Sequence, residues 1–169
     1  MLPPLSRVFE ICLYSLLNFF PFLIFALYPF RDDLRFSRTK TGLLIVVLTF
    51  LQILFGLLAC FSTGNISAVL SLVSTLSYAF FYFTAIRKSP GQLLFVLLMI
   101  SNIANLVVIT AKCLEGQFFP DYALLPYHYS MSLFMVIVEI FILIPVFVFL
   151  KKVITPALSC SQSFHEWRY

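Results

Sequence analysis

The chain has 169 residues, 62% of them hydrophobic, 18% aromatic and 11% charged, against about 45–50% apolar and about 25% charged in an ordinary soluble domain. A globule of this size cannot hide so much apolar surface from water, because surface outgrows core volume in small domains. The composition excludes a soluble enzyme, a disordered chain and a disulfide-stapled secreted module, and points to an all-α, polytopic membrane helix bundle.

Five stretches, near 8–30, 41–62, 65–86, 90–111 and 129–150, are apolar and close to the roughly 20 residues that a helix needs to cross a bilayer. Together they define a membrane domain over 1–152, followed by a short tail over 153–169. Helices are the expected form, since lipid offers no partner for open backbone groups and the strict alternation of barrel strands is absent.

The first span follows Arg7 and contains Glu10, Asn18 and Pro21. One basic residue before it, four after it and no small-residue cleavage site read as an uncleaved helix rather than a signal peptide. A charged loop over 31–40 leads to the second span, which carries Gln52. Gly64 and Asn65 form a tight turn into the third span, where Ser67, Ser71, Ser74 and Tyr78 follow one helical stripe. Arg87, Lys88, Ser89, Pro90 and Gly91 punctuate the entry to the fourth span. There Asn102 and Asn105, three apart and next to Ser101, are expected on a shared face.

These polar residues have two readings. The usual one is packing, in which small and polar side chains join membrane helices. The other is a polar cavity for a ligand.

Residues 112–128 are expected as a longer loop, because Gly116, Pro120 and Pro126 interrupt it. Phe118, Phe119, Tyr122, Tyr127 and Tyr129 cluster there with Asp121 and His128, as an aromatic interface belt or a platform for an outside ligand. The fifth span holds Glu139, the one carboxylate expected deep in a span. Burying it charged in lipid is costly, so it should face the bundle or be protonated. It reads either as a proton, cation or ligand site, or as a carboxyl hydrogen-bonded to a neighbouring helix. Pro21 and Pro145 each remove one backbone hydrogen bond, and a static kink is expected at both.

Orientation follows from the loops. Arg31, Arg35, Arg38, Lys40, Arg87, Lys88, Lys151, Lys152 and Arg168 share one side of the membrane, while Arg7 and Lys112 fall on the other. The positive-inside rule then places the N-terminus outside and the C-terminus inside. The net charge of +4 is that rule at work, with attraction to anionic headgroups, and not a nucleic-acid signature.

Chemistry beyond this is sparse. Cys12, Cys60, Cys113 and Cys160 lack metal-ligand spacing, and no metal or cofactor is expected. Cys60 and Cys113 lie near the same face, so a disulfide is open to them, although apolar filling is the commoner role. His165 and Glu166 stand alone, and no nucleotide loop or nucleophile–base pair is evident.

The order of the elements resembles the N-terminal membrane region of sensor histidine kinases of the GHKL ATPase superfamily, of the kind used in peptide quorum sensing. The run YPFRDDLRFS over residues 28–37 carries the resemblance. So do the passage from Ile86 through Gly91, Leu94 and Phe95 to Asn102, the fifth span with Pro145, and Lys151, Lys152, Pro156, Ala157 and Leu158 after it. Glu166, Trp167, Arg168 and Tyr169 are similar to the junction into a further helix.

The resemblance implies a sensor module in the cell membrane that takes a peptide or small-molecule signal from outside and works as a homodimer or beside a kinase. The phospho-accepting histidine segment and ATP-binding domain of that family are not in this sequence, so no catalytic residue carries over. A truncated paralogue without activity is also consistent with it. Glu139, Asn102, Asn105 and Pro145 are the candidate ligand or signal-transmitting residues. From another class, a small transport or substrate-binding subunit would use Glu139 with the Asn102 and Asn105 face.

Overall fold

The computed structural model describes residues 5–62, 64–125 and 127–160. Among them the chain is helical, and five helices are long and apolar enough to cross a membrane. Helix α1 spans Leu5–Leu27 and ends in a 3-10 turn, Tyr28–Phe30. Helix α2 spans Arg38–Phe61, α3 Asn65–Ala85 and α4 Pro90–Phe118. A single turn, α5, covers Pro120–Ala123, and α6 covers Tyr129–Phe149. A π-helical turn, Leu150–Ile154, carries the chain on into α7, Thr155–Cys160.

Local sequence explains most of the ends. The Ser37 hydroxyl accepts the Lys40 amide at 3.4 Å and starts α2. Gly64, at φ +57°, takes a left-handed turn before α3 that a side chain would resist. Pro90 opens α4 where its missing N–H costs nothing. Pro21 and Pro145 lie inside continuous helices.

Two boundaries differ from the sequence expectation. The fourth helix does not stop near 111 but runs to Phe118, so Lys112 and Glu115 lie on a helix rather than in a loop. Their spacing of three brings them to one face, where they form an ion pair of 2.7 Å. The fifth span likewise continues past 150, and the expected tail begins as helix. Leu150, Ile154 and Leu158, spaced by four, form a buried stripe beside the turn that ends α1. His165, Glu166, Trp167, Arg168 and Tyr169 lie outside the described residues.

Helix α1 is the hub and packs against α2, α4 and α6; α4 also packs along α6, and α3 along α2. Large apolar side chains point outward from every long helix, among them Phe50, Phe80, Phe141 and Ile144. That surface suits hydrocarbon, where burying an apolar side chain against another helix gains little and close packing and hydrogen bonds decide which helices meet. Two such contacts are explicit. The Gln52 amide nitrogen donates to the Ser74 carbonyl at 2.9 Å and to the Ser77 hydroxyl at 3.1 Å, while its oxygen accepts from the Ser74 hydroxyl, joining α2 to α3. Gly56 lets α1 approach α2, since a Cβ there would stand 2.5 Å from the Ser15 hydroxyl oxygen.

One end of the bundle carries the basic loops and is stitched shut. Across residues 31–37 and 86–89 the Arg35 amide donates to Ala85 at 2.8 Å, and the Arg87 amide to Asp33 at 2.9 Å. Lys88 pairs with the Asp33 carboxylate at 3.2 Å.

Candidate functional site: a polar cavity and its roof

The turn over residues 86–89 joins α3 and α4 at the basic end, yet the two helices make little contact beyond it. A cavity of about 520 Å³ opens between them and is walled on its other sides by α1 and α2. It occupies the part of the bundle away from the basic loops. Ser71, Ser74 and Tyr78 of the predicted stripe reach it, and Ser67 does not.

Its polar lining is uncharged. Asn18 and Ser15 face it from α1, and Ser101 and Asn105 from α4. Among the described residues no side-chain hydrogen bond occupies any of these four groups, whereas Gln52, also on the wall, is spent on Ser74 and Ser77. Asn18 and Asn105 both lie near the middle of their helices. Aromatic rings frame the space: Phe19 meets Tyr78 edge-on at 5.3 Å.

The cavity has a roof at the end opposite the basic loops. Tyr127 lies over Tyr14 with ring centroids 4.6 Å apart. To do so it holds φ +60°, a left-handed conformation that costs a non-glycine residue about 1–3 kcal/mol. The neighbouring network holds it there. His128 caps α6, accepting the Ser130 amide on Nδ1 at 3.3 Å, and its ring stacks on Tyr122 at 4.5 Å. The Nδ1 atom also lies 3.0 Å from the Ser130 hydroxyl, and Nε2 faces Glu10 at 3.8 Å. Glu10 pairs with Arg7 at 2.8 Å. On the other side the Ser130 hydroxyl donates to Glu115, which also pairs with Lys112, and Lys112 reaches the Ala123 carbonyl at 2.9 Å. Glu115 is fully buried. This polar chain ties α1, α4, α5 and α6 together beside the roof.

The sequence-predicted residues are therefore not one constellation. Asn105 lines the cavity, while Asn102, also exposed, does not. Positions three apart on a helix differ by about 60° around its axis, enough to split this pair. Glu139 is buried on α6 away from the cavity, and its Oε1 has no hydrogen-bond partner. Of its two readings, the hydrogen bond to a neighbouring helix is not formed among the described residues. Pro145 is exposed on the same helix. Cys60 and Cys113 are free thiols, so the disulfide open to them is not formed.

Glu115 was hidden by the expectation of a loop over 112–128, although its spacing from Lys112 was an available signal; Ser130 lay within the expected fifth span and carried no signal of its own. No family model, curated protein or solved structure matches the chain.

The network predicts a stability difference. Removing one partner of a buried ion pair costs about 3–5 kcal/mol where both are buried, and Lys112 is 44% exposed, so Glu115→Ala should cost about 2 kcal/mol. Asp32→Ala, which removes an exposed pair with Arg31, should cost under about 1 kcal/mol. Thermal unfolding in detergent checks the order: Glu115→Ala melts well below Asp32→Ala.

Proposed function

We propose that this chain is a non-enzymatic sensor or receptor module of the cell membrane, with its N-terminal end outside and its basic end in the cytoplasm. The observation that carries the reading is the uncharged polar cavity, held away from a basic end where the loops are stitched together. Such a site can hold a signal molecule within the bundle while offering no continuous path from one side of the membrane to the other. The basic loops on the stitched side support the orientation.

A bound signal would change how α1 and α4 pack around the cavity. Both pack against α6, which continues through the π-helical turn beside Lys151 and Lys152. That continuous rod is the proposed transmitter, with Glu139 and Pro145 on it, and a second copy or a kinase is the proposed recipient. A ligand biases the bundle only through a difference in affinity for its two packings. The resemblance to the input region of histidine kinases agrees with this role. A transport role for Glu139, Asn102 and Asn105 draws less support, because only Asn105 lies on the cavity.

Two experiments test the proposal. A C-terminal green fluorescent protein fusion should fluoresce on the cytoplasmic side; a fusion that is expressed but dark reverses the orientation. Ala104→Trp places a tethered occupant in the cavity, and Leu106→Trp places the same ring on the exposed face of α4 away from it. Hydrogen exchange over residues 147–158 should change at least threefold in the first variant and remain at the wild-type rate in the second. Unchanged exchange in both contradicts the sensor reading, and proton flux in proteoliposomes that Glu139→Gln abolishes favours transport.

A further inference from the structure

We infer that the cavity between α3 and α4 binds an uncharged amphiphile drawn sideways from the surrounding bilayer, its hydrogen-bonding head on Asn18 and Asn105 and its apolar chain along the outer edges of the two helices. The inference rests on the sensor reading and names the class of molecule its site would take.

The first argument is charge. Among the described residues, no ionisable Lys, Arg, Asp, Glu or His side chain lines the cavity. An ion moved there would lose its hydration and find no opposite charge to offset the loss. The occupant is therefore neutral.

The second is unspent hydrogen bonding. Each asparagine amide offers two donors and an acceptor. Asn18 and Asn105 sit near mid-helix in segments apolar enough to span a membrane, exposed, with no side-chain hydrogen bond to another of the described residues. An amide left bare in an apolar medium is strongly disfavoured, because it has given up its hydrogen bonds to water without replacing them. Ser15 and Ser101 add two hydroxyls on the same walls, without a side-chain hydrogen bond among the described residues. A head bearing hydroxyl, ester or amide groups satisfies all four, and hydrocarbon alone satisfies none.

The third is the direction of entry. The Tyr14 and Tyr127 rings stand over one end, and Phe22, Gln52, Tyr78 and Ile100 line the end toward the basic loops. The open side is the divergence of α3 from α4, which faces lipid. Leu72 and Leu76 flank Ser71 and Thr75 along this edge of α3, and Leu98 stands exposed on α4. These leucines give an acyl chain an apolar track leading away from a polar head. The volume of about 520 Å³ lies within the roughly 300–1,000 Å³ of small-molecule sites, room for a head and the start of a chain.

The test uses a photoreactive monoacylglycerol, with a diazirine in its acyl chain, in phosphatidylcholine nanodiscs holding the full chain. The photoreactive fatty acid of the same length is the charged comparison. Mass spectrometry of the crosslinked peptides should place monoacylglycerol adducts mainly on residues 65–85 and 90–118. Asn18→Leu with Asn105→Leu should lower that labelling at least fivefold. Ala104→Phe, which fills the space and keeps both amides, should do the same, and either variant suffices if the other does not fold. The fatty acid should label less than a third as strongly.

Adducts spread evenly over all lipid-facing helices, labelling indifferent to both variants, or equal labelling by the anion would each overturn the inference. Equal labelling by the anion at the same peptides would leave the sensor reading intact and change only its ligand. Loss of the exchange response to Ala104→Trp would remove the sensor reading while leaving the labelling result to stand.

Discussion

A helix surrounded by hydrocarbon gains little by turning an apolar side chain inward, so hydrogen bonds and close approach decide where helices meet. Gln52 fastens α3 to α2 through Ser74 and Ser77. Gly56 admits the Ser15 hydroxyl and brings α2 against α1. The chain from Arg7 and Glu10 through His128 and Ser130 to Glu115 and Lys112 gathers α1, α4 and α6. Between α3 and α4 there is little contact, and there the cavity opens. The distribution of a few polar groups thus places the helices and leaves the gap.

The roof follows from the same network. Tyr127 holds its left-handed backbone because His128, next in the chain, is fixed as the cap of α6 and by stacking on Tyr122. Strain of this kind persists only where the surroundings over-determine it. A polar cluster at the end of the bundle therefore shapes a cavity within it, and the two features form one unit.

Much of the fold was legible. Five apolar runs and their basic loops were enough to find the helices, because length and composition are what a bilayer requires. The end of α4 was not: Gly116 and the charges of Lys112 and Glu115 look like a loop until the carboxylate is seen to have a buried hydroxyl and an ammonium as partners. The site was legible only as chemistry. Asn18, Ser71, Ser101 and Asn105 were visible as polar residues in spans, but packing and cavity make the same pattern along one helix. What separates them is the distance between helices, set by Gln52 on a third element. The split between Asn102 and Asn105, and the isolation of Glu139 from both, belong to that same geometry.

The central claim is that Gln52 holds α3 on α2 and away from α4, keeping the cavity open. Spin labels at Ile66→Cys on α3 and Ile109→Cys on α4, both outward-facing positions, report the gap by electron–electron double resonance in nanodiscs once the native cysteines are replaced. The account predicts one narrow distance distribution in the otherwise wild-type chain, and a shortened or broadened one when Gln52→Leu frees α3 to move. An identical narrow distribution in both would contradict it.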